Sequence, residues 1–153
     1  MKIYLAADHR GFDLKNKLRD WLNEEGHEVE DFGADKYDED DDYPDFGIPL
    51  AKQVAASKER CLGVTVCGSG VGMSVVAGKV KGVRAVVASD AAIAKAARRD
   101  DDVNVIALGP KFVDFEQAKE IVKAAIETDF SGEERHQRRL DKIADYENEC
   151  SCA

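Results

Sequence analysis

A loop rich in glycine follows one of the apolar runs of the chain. Its glycines occupy alternate positions, in the order Cys67-Gly68-Ser69-Gly70-Val71-Gly72. Glycine lets backbone amides approach a ligand closely, and a helix after the loop would add the positive end of its dipole. We therefore expect the loop to bind a phosphate or a developing oxyanion. The alternative is a tight turn that binds no ligand.

The spacing of these glycines argues against several enzyme classes. It is Gly-x-Gly-x-Gly, whereas dinucleotide-binding folds use Gly-x-Gly-x-x-Gly after the first strand. The loop also lacks a Walker lysine and a Gly-x-Ser-x-Gly elbow. A nicotinamide oxidoreductase, a P-loop enzyme and a serine hydrolase are thus all disfavoured.

Two short segments carry groups that could transfer protons. Cys67 stands where loop amides and a helix N-terminus would lower its pKa, so that it could act as a base or nucleophile. Its alternative role is that of a small buried hydrophobic residue. Asp8 and His9 follow the first apolar run and suit proton transfer or anion binding. Asp8 could equally cap a helix.

Two arginines near the C-terminus lie four residues apart. Arg135 and Arg139 would share one face of a helix, and two guanidinium groups on one face suit a phosphate. The alternative is a solvated face paired with neighbouring acids, namely Glu133, Glu134 and Asp141.

Residues 35–45 contain seven acids and one lysine. The acids do not follow the alternating ligand pattern with a central glycine that a calcium loop requires. We therefore expect a solvated surface loop and assign it no metal.

The composition is that of an ordinary globular domain. The chain has 153 residues, 44% of them hydrophobic, and a net charge of −9. This charge argues against sequence-independent binding to nucleic acid or to an anionic membrane. No apolar run approaches the roughly 18 residues of a membrane span, no signal peptide is evident, and the four cysteines have no zinc-site spacing. We expect a cytoplasmic protein.

Short apolar runs alternate with longer amphipathic ones along the chain, which is typical of parallel strands joined by helices. The predicted strands are 2–7, 28–32, 62–67, 84–88 and 103–108. A helix is predicted after Gly11, and others at 46–57, 72–80, 90–99, 114–128 and 133–146.

This order of elements predicts an α/β fold, a doubly wound five-stranded parallel sheet with an additional C-terminal helix. We expect a single domain over residues 1–147 and a disordered tail at 148–153. Sites in such sheets lie beyond the carboxyl ends of the strands, where Asp8 and Cys67 stand.

The order and spacing of several motifs resemble one known family. The motifs are Asp8-His9-x-Gly11, Asp42-Tyr43-Pro44, the loop 67–72, Gly82-Val83-Arg84-Ala85, Asn104-Val105 and Arg135-His136-x-x-Arg139. Over residues 1–146 the chain resembles the B-type ribose-5-phosphate isomerases, which also include galactose-6-phosphate isomerase subunits. The resemblance implies a Rossmann-like homodimer, or a dimer of dimers, with active sites at the subunit interface. It also implies aldose–ketose isomerisation of a sugar phosphate without metal or cofactor.

The resemblance assigns roles to individual residues. Cys67 would be the carbon base and Ser69 would assist at the sugar oxygens. The enediolate would be stabilised by the backbone amides of Gly68, Gly70, Val71 and Gly72. Asp8 would contact sugar hydroxyls or open the ring. The candidates for binding substrate or its phosphate are His9, Arg135, Arg139, Lys111, Tyr43 and Asp101.

The chain also departs from the family pattern. One branch uses a glutamate where this chain has Met73, which favours Cys67 as the base. Members that open a furanose ring carry His-Asn where this chain has Asp100-Asp101. Asp100 would be the catalytic acid only if its pKa were raised, for example by repulsion from Asp101 and Asp102. Otherwise Asp8 opens the ring, or the substrate is linear, as a tetrose 4-phosphate is.

Three hypotheses follow for the function. The first is isomerisation of ribose 5-phosphate and ribulose 5-phosphate. The second keeps this chemistry on a tetrose, allose or galactose phosphate. The third is a binding module for a sugar phosphate that has lost catalysis.

Overall fold

The computed structural model describes residues 1–150, which form a parallel sheet covered by helices on both faces. Its strands are β1 (Lys2–Ala7), β2 (Glu28–Asp31), β3 (Cys61–Val66), β4 (Ala85–Val87) and β5 (Val105–Leu108). They lie in the order β2-β1-β3-β5-β4, and every pair is parallel. The predicted doubly wound, Rossmann-like α/β fold is confirmed.

The helices divide between the two faces of the sheet. They are α1 (Phe12–Glu24), α2 (Tyr43–Ala56), α3 (Val71–Ala77), α4 (Ala91–Asp101), α5 (Phe115–Glu127) and α6 (Glu134–Cys150). Buried side chains of α1, α4 and α5 share one core cluster with one face of the sheet. Those of α2 and α3 pack on the other face.

Residues of β1 alternate between these two cores. Ile3 and Leu5 belong to the larger cluster, whereas Tyr4 and Ala6 belong to the smaller one. Because successive side chains of a strand point to opposite faces, a strand covered on both sides must be apolar throughout. This is why the strands are recognisable in the sequence as short continuous apolar runs.

The chain reverses its winding direction between β1 and β3. The connection after β1 leads through α1 to β2, and the one after β2 leads through α2 across to β3. The two helices cover opposite faces, so a crevice opens beyond the ends of β1 and β3. Ala7 pairs with Val66 at those ends, and the Asp8 amide donates to the Val66 carbonyl at 3.3 Å. Asp8 and Cys67 therefore emerge side by side.

The C-terminal helix is longer than the sequence pattern predicts. α6 continues to Cys150, so residues 148–150, expected in a disordered tail, are helical. Residues 151–153, the rest of the predicted tail, lie outside the described residues. Of the helices formed by residues 1–150, none combines the length and apolar composition needed to cross a membrane.

Candidate active site

A cleft of about 320 Å³ lies at the carboxyl ends of β1 and β3. Eight of the residues singled out from the sequence line it, namely Asp8, His9, Tyr43, Cys67, Gly68, Ser69, Gly72 and Lys111. The cleft is also lined by three residues that were not predicted as site residues, Arg10, Asp41 and Asp42. The winding of the sheet thus gathers residues from four separate loops in one place.

Cys67 is the first residue after β3, and it lines the cleft. It is only 5% exposed, and its amide donates to the Leu108 carbonyl at 3.2 Å. The sequence left two interpretations of Cys67 open, a base or nucleophile and a small buried hydrophobic residue. The two are compatible, since Cys67 is buried and also lines the cleft. A thiol held in this way can meet a substrate without being exposed to bulk water.

The glycine loop contributes Gly68, Ser69 and Gly72 to the lining of the cleft and leads into α3. Gly70 has a φ of +79°, a left-handed conformation that favours glycine. The Val71 amide, predicted to stabilise an enediolate, donates instead to the Ser69 hydroxyl at 3.3 Å. Gly70 and Val71 are in the loop but do not line the cleft. Of the loop residues, Gly68, Ser69 and Gly72 line the cleft, so their amides are the candidates for contact with an oxyanion.

The Asp8 carboxyl lies beside Cys67 and is buried. Its Oδ1 atom accepts hydrogen bonds from the amides of Arg10 and Gly11, both at 3.0 Å. Asp8 thus fixes the entry to α1 and also lines the cleft. Burial raises the pKa of its carboxyl, although the two amides act in the opposite direction. A carboxyl with a raised pKa is suited to giving and taking protons.

His9 is held by an acid that the sequence did not single out. Its Nδ1 lies 2.6 Å from Asp41 Oδ1, and the same oxygen accepts the His9 amide at 3.0 Å. The hydrogen bond with Asp41 raises the pKa of the imidazole, which favours its cationic form. A cationic ring at the cleft is suited to binding an anion such as phosphate.

The expectation that residues 35–45 form only a solvated loop is wrong at Asp41. Residues 35–40 are exposed, but the Asp41 side chain turns inward and is only 9% exposed. The signal for this residue in the sequence is weak, because it is one of seven acids in one run. The sequence gives a stronger indication that Arg10 belongs to the site, since Arg10 directly follows the Asp8-His9 pair.

We predict that Asp41→Asn weakens the binding of phosphate near neutral pH. Loss of the negative charge lowers the pKa of His9 towards its ordinary value, so the ring loses its proton at a lower pH than in the wild type. The dissociation constant of inorganic phosphate, followed by NMR at His9, should rise by about threefold to tenfold. NMR titration of His9 checks the pKa directly, and Asp40→Asn in the same exposed loop is the matched control. An unchanged His9 pKa would contradict the role of Asp41.

Three of these residues also have the spacing of metal ligands. Asp8, His9 and Asp41 each place one donor atom within 4.8 Å of the others. A cation bound there would compete with the hydrogen bond between His9 and Asp41 and with the amides that hold Asp8. We therefore interpret the group as a hydrogen-bonded pair beside a buried carboxyl. That the protein works without a metal stays a prediction.

Besides Gly70 and Val71, four predicted site residues do not line this cleft. Asp100 and Asp101 lie at the end of α4, and Arg135 and Arg139 lie on α6. The Arg135 Nε pairs with Glu133 at 2.9 Å, as the alternative of a solvated face predicts, and Arg139 is exposed. Within one chain, the structure does not bring these four residues together with Cys67.

The suggestion that Asp100 has a raised pKa is wrong for this chain. Arg99 donates to both Asp100 carboxylate oxygens, at 2.7 and 2.9 Å. This pairing lowers the pKa of the Asp100 carboxyl. Repulsion from the neighbouring carboxylates does not raise this pKa, because Asp102 turns away and pairs with Arg84 and Arg98. Asp100 therefore stays ionised and is a poor proton donor.

Comparison with known proteins places the chain in a family. The model of the Ribose/Galactose Isomerase family matches residues 3–143. Ribose-5-phosphate isomerase B of Mycobacterium tuberculosis is 40% identical over 147 residues, which cover 96% of this chain and 90% of that protein. The chain belongs to the ribose/galactose isomerase family, and it is an enzyme of the aldose–ketose isomerase type.

Solved structures agree with this assignment. Ribose-5-phosphate isomerase B from Mycoplasma genitalium, solved with bound ribulose-5-phosphate, is 39% identical with a TM-score of 0.92, covering 97% of each chain. The enzyme from Clostridium thermocellum is 38% identical with a TM-score of 0.92, covering 97% of this chain and 99% of its own. The resemblance found in the sequence motifs is confirmed.

Proposed function

We propose that the protein interconverts ribose 5-phosphate and ribulose 5-phosphate. The observation that carries the proposal is the cleft itself, which combines a buried thiol at Cys67, a buried carboxyl at Asp8 and, at His9, an imidazole whose pKa is raised by Asp41. The isomerases named above, one of them solved with bound ribulose-5-phosphate, support this choice of substrate.

The proposed mechanism moves one proton between two carbons. The Cys67 thiolate removes the C2 proton of the open-chain aldose, and the electrons of the C–H bond form the C1–C2 double bond of an enediolate. The negative charge that develops on O1 is stabilised by amides of the glycine loop. The resulting thiol then returns the proton to C1, while the Ser69 hydroxyl relays the proton of O2 to O1 as the C2 carbonyl forms.

Ring opening is assigned to Asp8 rather than to Asp100. The acid must donate a proton to the ring oxygen. A carboxyl can do this near neutral pH only if its pKa is raised. Asp8 is buried and its pKa is raised, whereas the pKa of Asp100 is lowered by Arg99. Both the position of Asp8 in the cleft and the direction of its pKa shift thus favour it.

The phosphate is assigned to His9 and Lys111, with Arg135 and Arg139 supplied by a second copy of the chain. These arginines do not line the cleft of their own chain. Exposed apolar side chains stand near the cleft, with Val71 53% and Val75 55% exposed on α3. The proposed homodimer covers this patch and brings Arg135 and Arg139 of one copy to the cleft of the other.

We place this activity in the cytoplasm. Cys61, Cys67 and Cys150 are free thiols, and a reducing compartment preserves the thiol that the proposed mechanism requires.

A second candidate substrate is a sugar phosphate that forms no ring. The observation that favours it is the ionised Asp100 at the position where ring-opening relatives are expected to carry histidine. A tetrose 4-phosphate needs no acid of this kind. Allose and galactose phosphates would need one, so this observation does not favour them.

Direct assays of ketose formation test the proposal and separate the two substrates. We predict that Asp100→His raises kcat/KM for ribose 5-phosphate by about threefold or more, because in the proposed homodimer the imidazole of the second copy would add a proton donor at the cleft. It should leave kcat/KM for a tetrose 4-phosphate unchanged, and Asp101→His is the matched control. Turnover of the tetrose alone would establish the second candidate. No turnover of any sugar phosphate would contradict the isomerase itself.

A further inference from the structure

A second cleft of about 320 Å³ lies at the opposite end of the sheet from Cys67. It opens near Cys61, the first residue of β3, and near Asn104, which directly precedes β5. The candidate active site lies at the other ends of these strands. The proposed isomerisation uses none of the residues that line the second cleft.

Three guanidinium groups line this cleft, those of Arg60, Arg84 and Arg98. The Arg98 side chain is only 7% exposed. Its Nη1 donates to Asp102 Oδ1 at 3.0 Å and to the Val103 carbonyl, but within residues 1–150 its Nε has no hydrogen-bond partner. A buried N–H group without a partner is costly, and an acceptor that reached this Nε from the cleft would remove that cost.

The carboxylates around this cleft do not balance its cations. One carboxylate, that of Asp102, serves two guanidinium groups, since its Oδ1 accepts from Arg98 and its Oδ2 from Arg84 at 2.8 Å. The Arg60 guanidinium pairs with Asp129, which is largely exposed. Among the lining residues, Lys58 adds a fourth cation and Glu59 is the second acid. The cleft is thus locally basic in a chain with a net charge of −9.

The lowered pKa of Arg98 is consistent with this excess of positive charge. Burial, together with the positive charges of Arg60 and Arg84, lowers the pKa of its guanidinium. An anion between these groups would offset both effects, and guanidinium groups bind phosphate oxygens with favourable geometry.

We propose that this cleft is a binding site for a phosphate group, separate from the candidate active site. Its walls present guanidinium groups from three elements of the fold, because Arg60 precedes β3, Arg84 precedes β4 and Arg98 belongs to α4. The phosphate is either free or esterified to a small metabolite. Occupation of the site neutralises the excess charge and supplies an acceptor near Arg98.

NMR titration of the ¹⁵N-labelled protein with inorganic phosphate tests this proposal. We expect saturable shifts of the Arg98 Nε–H resonance and of the Cys61 and Asn104 amides. Shifts at His9 report the candidate active site separately in the same titration. A parallel titration with methyl phosphate distinguishes the two sources, since comparable affinity shows that an ester is accepted and much weaker affinity shows a preference for the free anion.

The variant Arg60→Gln provides the decisive comparison, since this half-exposed side chain is less critical for folding than Arg98. We expect it to weaken phosphate binding at the second cleft by about fivefold and to leave the titration at His9 unchanged. Lys123→Gln, an equal charge change on the exposed face of α5, should affect neither site. The proposal is wrong if Arg98 shows no saturable shift, or if Arg60→Gln binds phosphate there as tightly as the wild type.

Discussion

The Cys67→Ala variant should isomerise ribose 5-phosphate at least about 100-fold more slowly than the wild type, because it lacks the base that removes the C2 proton. Among residues 1–150, no other thiol lines the cleft. The loss should appear in kcat more than in KM, since the thiol acts on the transition state and the phosphate-binding groups remain. Steady-state kinetics measure both parameters.

The fold should tolerate this substitution. Cys67 is 5% exposed and alanine is smaller, so we expect the free energy of unfolding to fall by only about 1 kcal/mol. Thermal unfolding checks that the variant is native, and Cys150→Ala, which removes an exposed thiol of α6, should keep full activity. A folded Cys67→Ala enzyme with wild-type kcat would exclude Cys67 as the base.

A large effect on stability and on kcat is also expected at Gly109, which takes no part in the proposed reaction. A Cβ atom on Gly109 would overlap the backbone of Ser69, at its Cα and its carbonyl group. Gly109→Ala must therefore displace the glycine loop, which we expect to cost about 3 kcal/mol of stability. A displacement of Ser69 by about 1 Å should lower kcat by about 100-fold.

The variant Gly78→Ala is the matched control for this prediction. Gly78 ends α3, where a Cβ atom would meet no atom of the described residues closer than 3.3 Å. We expect little change in stability or in kcat. Measuring kcat and chemical unfolding for both variants separates a displaced loop from a general effect of added methyl groups. Wild-type kcat in Gly109→Ala would show that the position of Ser69 is not critical.

The sequence was sufficient to predict the sheet and the centre of the site. The runs that became β1 and β3 are apolar throughout because helices cover both of their faces. Parallel strands end at the same edge, so Asp8 and Cys67 had to emerge together. The observed strand β3, Cys61–Val66, is displaced by only one residue from the predicted range.

Other features depend on packing that a local pattern does not reveal. Asp41 is indistinguishable from its acidic neighbours until the loop folds against His9. Asp100, Asp101 and Asp102 suggested mutual repulsion, but Asp102 adopts a left-handed conformation and turns to Arg84 and Arg98. Arg99 then pairs with Asp100 and keeps it ionised. The partners of a charged residue, more than its neighbours in sequence, decide its pKa.

Proton NMR of ribose 5-phosphate incubated with the wild-type enzyme in D₂O tests the central claim most directly. The proposed mechanism predicts loss of the C2 proton signal together with the appearance of ribulose 5-phosphate signals, because a thiol that takes up the C2 proton exchanges it with solvent. A folded enzyme that yields neither exchange nor ketose would contradict the assignment of this cleft as a ribose 5-phosphate isomerase site.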